Sequence, residues 1–301
     1  MDLARALVIV NPAAGGGRAP AAWERARRQL HLQTGIDCVP TEAPGHARQL
    51  ARQAVARGVE RVVAVGGDGT VSEVAAGLAG TDASLGIVPA GTGNDFSHTL
   101  GLPRQPAAAA RLALHGFARR IDLGHVQLAD RSATFVNVAG CGFDAEVVRR
   151  TRAARGVGGT LPYLLAVLRS VWTFRPRSLR LVLDDGDTLT RRALSVAVAI
   201  GPSYGGGLRI APQAAIDDGL LDVCLIGDLH PLELLAVLPR AYRGTHIRHP
   251  KVELFRCREL HVESASSEPT GCQADGELVG QLPARFSIQP GGLWCVVGRP
   301  A

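Results

Sequence analysis

Val62-Val63-Ala64-Val65-Gly66-Gly67-Asp68-Gly69-Thr70 is the stretch on which the fold of this chain turns. Four consecutive apolar residues read as a short buried strand, and Val71 to Leu78, beyond the glycines, reads as a helix. Glycines between a strand and a helix let backbone N–H groups approach a polyphosphate, and the helix N-terminus adds partial positive charge at the same place. Asp68 cannot meet a phosphate directly, because like charges repel. It would act through Mg2+ or as a base toward an attacking hydroxyl. The plainer reading of the same residues is a tight turn with Thr70 as the helix N-cap.

Working outward, the first third of the chain alternates strand and helix signals. Ala6 to Val10, Ile36 to Val39 and Ser84 to Val88 read as further strands, with helices over Pro20 to His31 and Gly45 to Ala56. Repeated β-α units imply a largely parallel, doubly wound sheet, whose ligands sit at the carboxyl ends of the strands. Two more glycine loops leave such ends: Asn11-Pro12-Ala13-Ala14-Gly15-Gly16-Gly17 and Pro89-Ala90-Gly91-Thr92-Gly93-Asn94-Asp95-Phe96. Each alone is a weak nucleotide signal, since glycine turns are common where strands end. Together they point to one phosphate-bearing ligand.

From about Ile121 the texture becomes β-rich, with runs at Phe135 to Val138, Leu179 to Leu183, Leu194 to Ile200, Leu221 to Ile226, Val252 to Phe255, Leu260 to Glu263, Arg285 to Ile288 and Trp294 to Val297. Helical stretches at Phe143 to Arg152, Leu161 to Phe174 and Pro231 to Tyr242 interrupt it. The expected class is α/β: an N-terminal doubly wound nucleotide-binding domain over 1–120, a β-rich domain over 121–283, and a C-terminal strand segment over 284–301 that could pack back on the first domain. A cleft between two domains is a natural place for a site.

Composition narrows the chemistry. The 301 residues are 46% apolar and 20% charged, and no run of about 18 apolar residues could span a bilayer. The N-terminus enters a strand without a signal-peptide pattern, so a cytoplasmic protein is expected. The six cysteines lack C-x-x-C spacing, which argues against a zinc knuckle or a disulfide framework. The nine histidines form no metal-binding pattern. Of 33 basic residues only Lys251 is a lysine, and its surroundings match neither a Walker A loop nor the protein-kinase ATP site. A net charge of +6 suits anionic ligands or an anionic membrane surface and is too small to argue for nucleic acid.

Asn11-Pro12 with its glycines, the GGDGT at 66–70 and the GTGND at 91–95 resemble the diacylglycerol kinase catalytic family, which includes bacterial lipid kinases and sphingosine kinases and is distantly similar to NAD kinases. The resemblance continues through Gly45-His46-Ala47, Ile121-Asp122-Leu123-Gly124, Asn137 to Gly140, Gly142-Phe143-Asp144, Asp217 to Asp222 and Asp275-Gly276-Glu277. It implies a nucleotide, ATP, held by positions matching Asn11, Pro12, Ala13, Ala14, Gly15, Thr41, Gly66, Gly67, Asp68, Gly69, Thr70, Val71, Ser72, Thr92 and Asn94. It implies that Asp275 and Glu277 supply the carboxylate that takes a lipid hydroxyl proton, although sphingosine kinases give that role to the position of Asp68. All three carboxylates stay in play. It further implies Mg2+ organised by Asp68, Asp95 and Asp122, and a second Mg2+ held by Asp218 with the carbonyls of Ala215 and Leu220. For Asp217-Asp218-Gly219 the alternative is a solvated turn.

Rival patterns are weaker. Gly201-Pro202-Ser203-Tyr204-Gly205 spells a hydrolase elbow, but Gly205-Gly206-Gly207 cannot nucleate the helix an elbow needs. Gly140-Cys141-Gly142-Phe143-Asp144-Ala145 imitates a dinucleotide fingerprint without the following strand and its acidic end. Leu161, Leu164, Leu165, Leu168, Val171 and Trp172 form an apolar stripe amid Arg149, Arg150, Arg152, Arg155, Arg169, Arg175 and Arg177, which would either lie in a membrane interface or pack on the sheet.

The expectation is therefore an ATP- and Mg2+-dependent lipid kinase acting on diacylglycerol or a related lipid. Its partners would be the lipid, a peripheral membrane surface engaged transiently, and a second copy of the chain in a homodimer, with no nucleic acid. The alternatives are an NAD kinase-like small-molecule kinase and a non-catalytic nucleotide or lipid sensor.

Overall fold

The computed structural model describes residues 5–31, 36–153, 161–184, 186–266 and 268–298. Two compact units divide the chain, Met1–Leu123 with Pro290–Ala301 and Gly124–Gln289. The first runs β1 (Ala6–Val10), α1 (Ala14–Gly17), α2 (Ala19–Gln29), β2 (Asp37–Pro40), α3 (His46–Ala56), β3 (Arg61–Gly66), α4 (Asp68–Leu78), β4 (Ser84–Pro89), α5 (Asp95–Thr99), α6 (Pro106–His115) and the start of β5 (Ala118–Leu128).

Its sheet is parallel, in the order β2-β1-β3-β4, with Trp294 and Cys295 of the last strand pairing parallel to β4. Val8, Val10, Val63, Val65 and Val88 face Ala19, Trp23 and Ala26 of α2 and Ala109, Ala110, Ala113 and Leu114 of α6. By strand alternation Val62 and Ala64 point the other way, and they too are fully buried; α3 and α4 pack on each other and contact β1 and β3. Coverage of both faces is why β3 reads as an unbroken apolar run, each of its buried valines contributing about 2 kcal/mol of transfer free energy. Asp68 opens α4, with Gly67 alone between strand and helix. Thr70 lies in the helix's first turn and is not its cap. Neither α5 nor α6 stands out in the sequence by periodicity, because the alanine-rich α6 has no contrasting faces.

The second unit continues with β6 (Ser132–Phe135), β7 (Val138–Gly142), α7 (Phe143–Ala153), α8 (Leu161–Thr173), β8 (Arg177–Leu183), β9 (Asp187–Ala199), β10 (Leu221–Gly227), α9 (Pro231–Tyr242), β11 (Val252–Cys257), β12 (Glu259–Ser264), β13 (Gly271–Ala274), β14 (Glu277–Gln281) and β15 (Ala284–Val296). The strands pair antiparallel in the order β14-β13-β7-β9-β8-β12-β15, and β10 joins β9 to β11. Phe143, Val147, Val171, Leu194, Leu229, Leu234 and Val237 form a core shared by α7, α8 and α9.

Three sequence expectations change here. The run Phe135 to Val138 is split into β6 and β7. Arg285 to Ile288 and Trp294 to Val296 belong to one strand, β15, despite Pro290 and two glycines between them, and Val297 lies beyond its end. The apolar stripe of α8 is also divided: Val171 is buried, whereas Leu165, Leu168 and Trp172 are exposed. Arg155, and the side chains of Leu161 and Leu164, lie outside the described residues. Beyond Gly201 the chain makes a Tyr204–Leu208 bridge in place of a helix, which rules out the hydrolase elbow. All six cysteines are free thiols. Among the described residues no helix is long and apolar enough to cross a membrane.

Candidate functional site

In the first unit the loops leaving β1, β2, β3 and β4 are locked to one another. After β1, Asn11 donates from Nδ2 to Thr70 Oγ1 at 2.9 Å and accepts the Ala13 N–H at 3.0 Å. A Cβ on Gly15 would overlap the carbonyl oxygen of Ala90, and one on Gly91 would lie 2.5 Å from Cα of Gly67. Backbone therefore touches backbone where the three glycine loops meet, and only glycine permits it. Thr41, at the end of β2, donates its N–H to Val10 at 2.8 Å. The following loop is held by Glu73 of α4, whose carboxylate accepts the N–H groups of Gly45 at 2.8 Å and Ala47 at 3.1 Å.

Asn94 has a left-handed backbone, φ 54°, and its amide closes the loop by accepting the Gly91 N–H at 2.9 Å and donating to the Gly91 carbonyl at 3.0 Å. Thr92 and Pro12 are exposed, Ala14 and Ser72 are half-buried, and Val71 is buried, so at Val71 only the backbone can serve a ligand. The N-cap of α4 is Gly67, which has no side chain to occupy the first N–H groups of the helix.

Asp68 is half-buried. Its carboxylate accepts the Phe96 N–H at 3.1 Å. Burial pushes the carboxyl above the ordinary aspartate range, while backbone hydrogen bonds, that of Phe96 first, pull the other way. Gly93 sits between two carboxylates: a Cβ there would lie 3.1 Å from Asp68 Oδ2 and 3.4 Å from Asp95 Oδ2. Asp122 is 1% exposed and accepts the Gly291 N–H at 2.8 Å. Among the described residues no group of three or more His, Cys, Asp or Glu side chains could hold a metal. Two carboxylates beside the glycine loops nonetheless fit Mg2+, which takes one or two protein carboxylates and completes its shell with water and, where one is bound, a phosphate.

In the second unit Asp275 and Gly276 form the two-residue turn between β13 and β14, with φ 46° and 78°. The turn gives the two acids different surroundings. Asp275 accepts the N–H groups of Val136 at 2.9 Å, Asn137 at 3.0 Å and Val138 at 3.2 Å, and so splits β6 from β7. Glu277 starts β14 with its side chain 52% exposed, and Arg152 of α7 stands 3.5 Å from it.

Asp218 accepts the Leu220 N–H at 3.1 Å on one oxygen and Arg256 on the other, in the same loop as Ala215. Arg256 also lies 3.4 Å from Asp222, its cross-strand neighbour. As arranged, a guanidinium faces one Asp218 oxygen, and a second Mg2+ there would have to displace it.

Sequence reading passed over Glu73, which fixes the Thr41 loop, and Arg18, which donates from Nε to the Gly15 carbonyl at 2.6 Å and brings a cation to the first glycine loop. It also passed over Arg152 as the partner of Glu277. An acid among the apolar residues of α4 and an arginine just after the glycines are the signals that were available.

Residues 5–126 match the family model of the diacylglycerol kinase catalytic domain, and 137–297 match that of the YegS C-terminal NAD kinase beta sandwich-like domain. A diacylglycerol kinase of Mycobacterium tuberculosis (strain ATCC 25618 / H37Rv) is 36% identical over 296 residues, covering 97% of this chain and 94% of the relative. A probable lipid kinase YegS-like protein of Chromohalobacter salexigens is 35% identical over 255 residues, 83% of this chain and 79% of its own. Among solved structures, a diacylglycerol kinase of Bacillus anthracis str. Sterne superposes with a TM-score of 0.73 at 22% identity, over 98% of this chain and 97% of that one. With both domains matched in order and relatives above 30% identity along nearly its whole length, the chain belongs to the family of diacylglycerol kinases and YegS-like lipid kinases.

Proposed function

We propose that this protein transfers the γ-phosphoryl group of ATP to the hydroxyl of a lipid, diacylglycerol or a close relative. The observation that carries the reading is the meeting of three glycine loops at the Asn11–Thr70 and Gly15–Ala90 contacts, with Asp68 and Asp95 on either side of Gly93. Backbone amides of the loops and of the start of α4 would bind the phosphates, and Arg18 adds the charge that the missing lysine cannot. Asp68 and Asp95 are the residues to hold Mg2+, which when bound neutralises charge on the transferring phosphoryl group.

The lipid oxygen attacks the γ-phosphorus, the bond to the oxygen bridging the β- and γ-phosphates breaks, and the hydroxyl proton passes to a carboxylate. Glu277 is the better acceptor of that proton than Asp275, because three N–H donors already occupy the Asp275 oxygens. Exposed Leu165, Leu168 and Trp172 on α8, with Arg169 beside them, suit the interface of an anionic membrane.

Incubation with labelled ATP, Mg2+ and a lipid extract, followed by identification of the labelled product, tests this reading. A phosphorylated lipid supports it. Binding of ATP with no labelled lipid would favour a sensor, and labelling of NAD would favour the small-molecule kinase.

A further inference from the structure

Behind the Asp275–Gly276 turn lies a buried polar chain. Asp144, in the first turn of α7, accepts Ser195 Oγ–H at 2.8 Å on Oδ1 and the Gln273 side-chain amide at 3.1 Å on Oδ2. The amide oxygen of Gln273 in turn accepts the Gly276 N–H at 2.9 Å. All three side chains are buried, Gln273 to 1% exposure. Gly140 on β7 makes room for the chain, since a Cβ there would lie 2.8 Å from Asp144 Oδ2. The glycine pattern that imitates a dinucleotide fingerprint thus serves Asp144.

The chain has a fixed polarity. A backbone N–H can only donate, so the oxygen of Gln273 must face Gly276 and its NH2 must face Asp144. Position 144 must then be an acceptor toward Gln273. Were it a donor, the Gln273 amide would have to turn over and present NH2 to the Gly276 N–H, and one hydrogen bond would be lost whichever way the amide pointed.

We propose that Asp144 and Gln273 are positioning residues that set the Gly276 peptide, and through it the placement of Glu277, for phosphoryl transfer. The proposal rests on the lipid-kinase reading above. A displacement of about 1 Å in a reacting group costs up to about 100-fold in rate, so two hydrogen bonds at the base of a tight turn have leverage on kcat without touching substrate.

Donor–acceptor exchange tests it. Gln273→Glu sets two carboxylates side by side, whereas Asp144→Asn alone can keep its oxygen toward the Gln273 NH2 and its NH2 toward Ser195 Oγ, whose hydroxyl then turns to the Cys141 carbonyl at 3.3 Å. Combining the two substitutions restores every bond. The amide introduced at position 144 donates to the carboxylate introduced at position 273, which accepts the Gly276 N–H, while Ser195 donates to the oxygen of the new amide. Expected in Gln273→Glu is a fall in kcat of about tenfold or more with the KM for ATP within about twofold, in Asp144→Asn a change of about threefold or less, and in the double variant recovery of most of the Gln273→Glu loss. Hydrogen exchange across residues 274–278 should speed up in Gln273→Glu and slow again in the double.

Unchanged kcat in folded Gln273→Glu, or a double variant no better than Gln273→Glu, would overturn the proposal. Melting temperatures separate unfolding from misplacement; if a single variant does not fold, recovery in the double still decides. A wild-type protein that phosphorylates no lipid overturns the parent reading instead, and the exchange arm, run without lipid, then decides whether the chain of hydrogen bonds sets the turn.

Discussion

The carboxylate of Asp68 accepts the backbone N–H of Phe96 at 3.1 Å, so the acid expected to serve metal or proton also fastens the first turn of α5 to that of α4. The two tasks separate by substitution. Asp68→Asn keeps an oxygen for Phe96 and removes the charge, whereas Asp68→Ala removes both. Loss of about 100-fold or more in phosphoryl transfer is expected for Asp68→Asn, with a smaller loss of stability than for Asp68→Ala. Asp68→Ala should be equally inactive and less stable by about 1 kcal/mol. Near-normal turnover in folded Asp68→Asn would remove Asp68 from the mechanism. Because burial raises the carboxyl of the metal-free protein above its ordinary value of 3.8, Mg2+ binding measured by calorimetry should weaken on acidification at a higher pH than at an exposed aspartate.

Asp275→Asn is expected to act first on stability. Its carboxylate oxygens receive three backbone N–H groups, and an amide NH2 in place of either oxygen faces at least one of them donor to donor. A loss of about 1–3 kcal/mol follows, measurable by chemical denaturation. An Asp275→Asn protein as stable as wild type would mean that the turn is held by something else.

Lys251→Ala should leave ATP affinity unchanged within about threefold, because the phosphates are expected on glycine-loop amides and a helix end. The side chain is already spent, its Nζ 2.8 Å and 3.0 Å from the two oxygens of Glu233 in the second unit. A large rise in the ATP KM of a folded variant would show that the nucleotide binds elsewhere.

Much of the first unit was legible because its physics is local. Val62 to Val65 reads as a buried strand and the residues beyond its glycines as a helix, and β3 and α4 lie there. What was not legible depended on contacts between residues far apart in sequence. Asp275 looks like one half of an acidic pair until the N–H groups of Val136 to Val138, some 139 residues earlier, are seen on its carboxylate. Asp122 reads as a metal ligand, yet its Oδ1 meets the Gly291 N–H across 169 residues. The same peptide explains why Pro290-Gly291-Gly292 does not break β15: Gly291, at φ 59°, takes a left-handed conformation there and turns its N–H to Asp122.

His246 should make stability fall on mild acidification. The ring is fully buried, Nε2 lies 3.2 Å from the Ile210 carbonyl, and desolvation lowers its pKa from the ordinary value of 6.5. Below 6.5 the unfolded chain takes up a proton that the folded chain refuses, so stability is fully present above that pH and declines between it and the depressed folded value. Thermal melts at about pH 8 and about pH 5 should differ more for the wild type than for His246→Gln, which does not titrate. Parallel pH dependences in the two proteins would assign the effect to other groups.

Glu277→Gln is the substitution that assigns the base. Glu277 is exposed at the start of β14 and carries no set of backbone N–H groups like that on Asp275; its neighbour is Arg152 at 3.5 Å, so its loss should cost the fold little. If it takes the lipid proton, kcat should fall about 100-fold or more while ATP binding, measured by calorimetry, stays within about twofold. Arg152→Gln supplies the contrast. It removes the partner without removing the carboxylate, so its effect on kcat should be about tenfold or less. A fully active Glu277→Gln alongside an inactive Asp68→Asn would move proton transfer to Asp68, and Glu277 with Arg152 would then be a surface ion pair. If instead both variants lose turnover and Asp68→Asn alone also loses its response to Mg2+ concentration, the division of labour is settled: Asp68 serves the metal and Glu277 the proton.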